Sequence, residues 1–270
     1  MTELPPQACD AHCHVYGLID TPVDAVFGPP DVTAEDVLAL HERLGFERAV
    51  VVQSTAHAHD HRAMLDLLER AAGRYRGVAL LAPEATPAEL AALDAAGVRG
   101  ARLHFAPHLG NAPSEARVQQ VVGLVRELGW HLELHLTDRG LLDNAERIER
   151  FDVPVVIDHM ARFDLAEGTA GPSVALLCRL LDTGRVWVKV SGVDRLSRTG
   201  PPYADAVEVA ALLVEHAPER TLWGTDFPHV NVDGPAPDDR LLLGLVERIA
   251  PSVGARERLL VRNPAELFGF

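Results

Sequence analysis

Cysteine is scarce in this sequence. Its three residues, Cys9, Cys13 and Cys178, cannot all pair and form no CxxC motif, so a disulfide framework is excluded and a reduced, cytoplasmic protein is expected. Basic charge is also in deficit. Twenty-five Lys and Arg against 39 Asp and Glu give a formal charge of −14, and no basic stripe with interleaved aromatics occurs. Such a surface repels phosphate backbones, which argues against a nucleic-acid partner. No apolar run approaches the ~18 residues of a membrane span. The opening "MTELPPQ" has neither the basic start nor the apolar stretch of a secretory leader. No long linker interrupts the chain, and residues 1–270 read as one domain.

What the sequence does have is an alternation of two patterns. Short apolar or β-branched runs fall at 7–15, 47–55, 75–83, 97–105, 130–136, 153–160, 185–192 and 220–229. Segments of helical periodicity lie between them, such as "TAEDVLALHERLG", "HRAMLDLLERAAG" and "SEARVQQVVGLVRELG". Thr33 and Thr86 stand as N-caps before acidic residues, and Gly45, Gly73, Gly97 and Gly129 close the segments. Strand and helix repeated eight times predict parallel pairing through right-handed crossovers, an α/β fold of the (β/α)8 TIM-barrel type. A doubly wound open sheet would want a glycine-rich phosphate turn after its first strand. Histidines stand there instead. Pieces at 20–32, 164–173, 197–203 and 231–238, rich in Gly, Pro and Thr, read as loops over the barrel mouth.

In such a barrel, chemistry gathers at the C-terminal ends of the strands. The ends predicted here carry His12 and His14, Arg102 and His104, His135, His159, Lys189 or Ser191, and Asp226. Alternation along a strand puts His12 and His14 on one face with Cys13 on the other, and aligns His131, Glu133 and His135. Any one such histidine is more often a hydrogen-bonded strand-end residue than a ligand. Their convergence in one mouth would be costly to desolvate unless the groups bind something. By parity with His159, Asp158 is expected to face the helices. Glu133 is read as an acceptor that orients a histidine. In "AHAHDH", His57 suits a solvated loop as well as a substrate contact.

These residues resemble the amidohydrolase superfamily, and within it the lactonase branch that acts on 2-pyrone-4,6-dicarboxylate and related lactones. The likeness runs through "CDAHCHVYG", "LGFERAVVVQST", "AGVRGARLHF", "VVIDHMARFD", "VSGVDRLS" and "LWGTDFPHVN". It implies hydrolysis of a carboxylated lactone: His12, His14 and His159 polarise the carbonyl, Asp226 deprotonates water, and Arg102, Arg162 and Arg195 hold carboxylates, without a metal. Two positions depart from that pattern. His108 replaces a carboxylate-binding arginine, which removes a permanent forked cation. His135 replaces a tyrosine and restores a histidine that metal-dependent superfamily members use. His12, His14, His135 and Asp226 would then form a site for one divalent ion, Zn2+, with an activated water and His159 free as acid or base.

Substrate contacts are thus expected from Arg102, Arg162, Arg195, His104, His108 and His57, and the partner from a small anionic molecule. A homo-oligomer is left open, as the sequence offers no clear interface. The alternatives to lactone hydrolysis are a metal-dependent non-oxidative decarboxylase, a sugar-lactone isomerase, and a catalytically idle binding barrel.

Overall fold

A computed structural model describes residues 4–17, 31–106, 112–230, 232 and 235–270. Eight strands lie in one parallel sheet in sequential order: β1 (Cys9–Cys13), β2 (Arg48–Val52), β3 (Tyr75–Ala79), β4 (Val98–His104), β5 (His131–His135), β6 (Val155–Ile157), β7 (Val186–Lys189) and β8 (Thr221–Leu222). All eight coincide with the apolar runs of the sequence, each trimmed to the residues that pair. The (β/α)8 barrel expected from the alternation is what the chain forms.

The crossover helices begin where the sequence supplies caps. Helix α1 (Ala34–Leu44) and α3 (Pro87–Ala95) each open on a reciprocal capping box, Thr33 with Asp36 and Thr86 with Glu89. Helices α2 (Arg62–Arg70), α4 (Glu115–Leu128), α5 (Asp138–Arg150) and α6 (Pro172–Leu181) follow β2, β4, β5 and β6. The piece at 164–173, expected as loop, holds a short 3-10 turn, Leu165–Ala170, and the start of α6. Among the described residues, no helix is long and apolar enough to cross a membrane.

The barrel closes by backbone contact beyond the short β8. Ala11 N–H donates to Trp223 O at 2.9 Å, Asp226 N–H to His12 O at 2.8 Å, and His14 N–H to Phe227 O at 2.8 Å. Gly224 permits this approach. A Cβ there would stand 2.4 Å from the His12 nitrogen and 2.8 Å from its Cβ.

A buried polar clasp fastens the same seam from outside the barrel. Asp10 Oδ1 accepts from the backbone N–H of His12 (3.1 Å) and of Thr225 (3.0 Å), and its Oδ2 accepts from Thr225 Oγ1 (2.6 Å) and His41 Nε2 (3.1 Å). His41 Nδ1 in turn meets the Tyr75 hydroxyl at 2.6 Å. Inside, the lower part of the barrel is apolar, filled by Val50, Val78, Val156, Trp187, Leu222 and Phe268. Above that plug the interior turns charged, and the site stands on this change.

Candidate active site

The charged layer comes from the inward positions of β4, β5 and β7. Lys189 Nζ lies 2.5 Å from Glu133 Oε2, 3.0 Å from His12 Nδ1 and 3.4 Å from Asp158 Oδ1. Both Lys189 and Glu133 are fully buried (0% exposed), so each charge is stabilised only by the other and its neighbours. Arg102 turns into the barrel as well. Its Nε and Nη2 donate to Asp158 Oδ2 at 2.9 and 2.6 Å, and its Nε lies 3.5 Å from Glu133 Oε1.

Asp158 faces this layer, a correction to the outward direction expected from the sequence. The reason is local. Val156 faces the barrel interior, so strict alternation brings Asp158 inward too. The strand ends at Ile157, and His159, Met160, Ala161 and Arg162 all take left-handed φ values of 46–51°. For residues with a Cβ each such conformation costs roughly 1–2 kcal/mol. That turn breaks the alternation, and His159 swings back into the mouth beside Asp158.

Over the charged layer, the expected groups meet. Asp226 Oδ1 lies 3.7 Å from His12 Nε2, 3.4 Å from His14 Nε2 and 3.7 Å from His159 Nε2. His14 Nδ1 donates to Val52 O at 2.6 Å, and His159 Nδ1 meets Ser191 Oγ at 2.9 Å. Asp226 itself is left-handed, at φ 63°. Its Oδ2 accepts from Arg195 Nε at 2.5 Å, while Arg195 Nη1 donates to Val230 O at 2.8 Å. On the rim, Asp164 pairs with Arg198 (3.1 Å).

A cavity of about 60 Å³ opens above Asp226, lined by His14, Tyr16, Ser54, Thr55, Arg102, His104, His135, His159, Arg162, Arg195, Asp226 and Val230. His104 and His135 sit together there, Nδ1 to Nδ1 at 3.3 Å. The His135 ring centroid is 6.2 Å from that of His159. His57 lies behind the wall, stacked on Tyr16 at 5.3 Å with its Nδ1 3.3 Å from Ser54 O. His108 falls outside the described residues. Tyr16, Ser54 and the clasp residue Asp10 were not singled out from the sequence. The alternation that pairs His12 with His14 extends to Tyr16 and could have found it.

Electrostatics keep His12, His135 and His159 neutral and Asp226 charged. Burial pushes His159 down to about 4, and burial also holds His12 and His135 well below the usual histidine range, with nearby Lys189 and Arg102 acting in the same direction. Burial alone would raise Asp226, but Arg195 and the surrounding imidazoles outweigh it and hold the carboxyl well below the usual range. At neutral pH Asp226 is therefore a carboxylate beside the uncharged rings of His12, His135 and His159.

Donor atoms of metal-ligand type are gathered here. His12, His159 and Asp226 each offer one within 4.8 Å of the others, and His14 adds a fourth nearby. Their number and type suit a divalent ion, but the charge count does not. Glu133, Asp158 and Asp226 are already matched by Lys189, Arg102 and Arg195, and Arg195 occupies Oδ2 of Asp226, the only carboxylate among the described residues that line the cavity. A dication would add two uncompensated charges to a buried site. The donor set of His12, His14, His159 and Asp226 Oδ1 could hold one divalent ion only by taking on that charge.

Comparison with known proteins agrees with the geometry. The amidohydrolase family model matches residues 9–270. The chain is 37% identical to the 2-pyrone-4,6-dicarboxylate hydrolase of Comamonas testosteroni (98% of this chain, 91% of that protein) and 38% identical to the 4-sulfomuconolactone hydrolase of Rhizobium radiobacter (98% and 91%). It is 32% identical to the D-galactarolactone isomerase of Agrobacterium fabrum (98% and 91%). A protein of Acinetobacter baumannii assigned as a 2-pyrone-4,6-dicarboxylic acid hydrolase, solved with citric acid bound, superposes with a TM-score of 0.85 at 26% identity, covering 98% of this chain and all of that one. Barrel, strand-end histidines and aspartate, and full-length similarity converge on one conclusion: the chain belongs to the amidohydrolase family.

Proposed function

We propose that this enzyme opens a carboxylate-bearing lactone by adding water, with Asp226 as the base. The observation that carries this reading is the setting of Asp226: an ionised carboxylate facing three imidazole nitrogens at 3.4–3.7 Å under a small cavity rimmed by Arg162 and Arg195. Water attacks the ring carbonyl and gives a proton to Asp226. Imidazole N–H groups stabilise the oxyanion, the ring C–O bond breaks, and the departing alkoxide takes up a proton from the Asp226–His159 pair. The product is an open-chain hydroxy acid.

The arginines fit an anionic substrate by different degrees. Arg102 has Nε and Nη2 engaged by Asp158, so it shapes the floor. Arg162 and Arg195 line the cavity above that floor, and their cations attract a carboxylate there, although Nε and Nη1 of Arg195 already serve Asp226 and Val230. The citrate in the structural neighbour and the dicarboxylate in a relative's name support a carboxylated substrate. Three free cysteines, two of them buried, suit a reducing cytoplasm.

No step here is routed through a metal. A Zn2+ ion held by His12, His14, His135 and Asp226 would take Asp226 through Oδ1, since Arg195 engages Oδ2. Ring opening of a panel of carboxylated five- and six-membered lactones, run with and without a chelator, tests the reading. Turnover that survives chelation is expected. Absence of ring opening on the whole panel, with added Zn2+ as well, would overturn it. A product of unchanged mass would instead favour isomerisation, the reaction in the name of one relative.

A further inference from the structure

Three histidines of like appearance share this site, and their hydrogen bonds assign them different roles. The argument starts from Lys189. An ammonium group has three protons and no acceptor. Its three neighbours are Glu133 Oε2 at 2.5 Å, His12 Nδ1 at 3.0 Å and Asp158 Oδ1 at 3.4 Å. His12 Nδ1 therefore accepts, and the proton of this neutral ring sits on Nε2.

His14 completes the chain from the other side. Its Nδ1 lies 2.6 Å from Val52 O, a carbonyl that can only accept, so the His14 proton is on Nδ1 and its Nε2 holds a lone pair. The two Nε2 atoms are 3.3 Å apart. One of them must donate, and only His12 has the proton. Lys189 to His12, His12 to His14, and His14 to the β2 backbone thus form one directed chain with every donor matched to an acceptor.

We propose that Lys189 is a positioning residue that fixes His12 as its Nε2–H tautomer, making His12 the donor to the lactone carbonyl oxygen and His14 the acceptor that shares the water's proton with Asp226. This departs from the equal polarising roles that the family resemblance gives the two rings. The proposal rests on the lactone reading for the identity of the carbonyl, but the tautomer itself does not.

The test is long-range 1H–15N correlation spectroscopy on 15N-histidine-labelled protein at neutral pH, with His12 identified by its loss in His12→Gln. The full chain should show His12 protonated at Nε2 and His14 at Nδ1. Because Lys189→Met alone leaves Glu133 buried without its partner, the Lys189→Met/Glu133→Gln pair serves as the second variant. In it, His12 should shift toward the Nδ1–H form that Asp158 can accept. Loss of an oriented oxyanion donor should lower kcat by about 100-fold, with KM nearly constant. His12 protonated at Nδ1 in the unaltered protein, or an unchanged tautomer after Lys189 is removed, overturns the proposal. Should the tautomers be as stated while no lactone is opened, the lock stands and the lactone reading fails.

Discussion

Asp10→Asn tests whether the polar clasp outside the barrel holds the chemistry inside it. The carboxylate accepts four hydrogen bonds, two on each oxygen, and is fully buried. An amide can keep its oxygen toward the backbone N–H groups of His12 and Thr225. Its NH2 must then face Thr225 Oγ1, already accepting from Phe227 N–H at 3.1 Å, and His41 Nε2, which now donates. Hydrogen bonds to a charged acceptor contribute about 1.5–3 kcal/mol each against 0.5–1.5 for neutral ones. Two weakened and two broken bonds, partly recovered by a changed His41 tautomer, amount to about 3–4 kcal/mol. The clasp also spans His12 and the residue before Asp226, so a loosened seam should misplace both and lower kcat by about 10- to 100-fold. Urea unfolding followed by fluorescence gives the first number, and steady-state turnover well below the unfolding temperature gives the second. A stability change under about 0.5 kcal/mol, within the range of neutral surface substitutions, would refute the clasp. Lost stability with unchanged kcat would show that it holds the fold alone.

Three further outcomes follow from the same geometry. Gly224→Ala drives a methyl into the His12 backbone and should cost 3 kcal/mol or more by overpacking, read as a fall in the urea midpoint; an unchanged midpoint would mean that the seam yields. His159 sits at about 4 in the fold against ~6.5 unfolded, so the unfolded chain binds more protons as pH falls below 6.5, and stability should drop by about 3 kcal/mol between pH 7 and 4. His159→Gln should flatten that part of the profile, and an unaltered slope would contradict the assignment. Arg195→Gln removes a cation that holds Asp226 ionised, so the acid limb of kcat/KM should move to higher pH and KM should rise about 10-fold or more; a profile and KM like those of the unaltered enzyme would exclude Arg195 from the site.

The barrel was legible because each strand is a short apolar run and four of the following helices, α1, α3, α4 and α5, open on a Ser or Thr cap. His12, His14, His159 and Asp226 were legible for the same reason: strand ends can be counted. Asp158 was misdirected because parity with His159 crosses the end of β6 into a left-handed turn that no residue type announces; counted from Val156, the same alternation brings it inward. The partners of Lys189 and the clasp around Asp10 join residues 177 and 215 positions apart, contacts that local patterns do not encode. Arg102 illustrates the remaining gap. Its inward direction follows from parity with His104, but its engagement by Asp158 depends on that misdirected carboxylate.

Turnover in 18O-enriched water by the unaltered enzyme and by Asp226→Asn tests the central claim most directly. One labelled oxygen should enter the new carboxylate of the product in a single turnover, and the asparagine variant should be slower by about 10³-fold or more while remaining folded. A product without label, or an Asp226→Asn enzyme that retains its rate, would contradict water activation at this carboxylate.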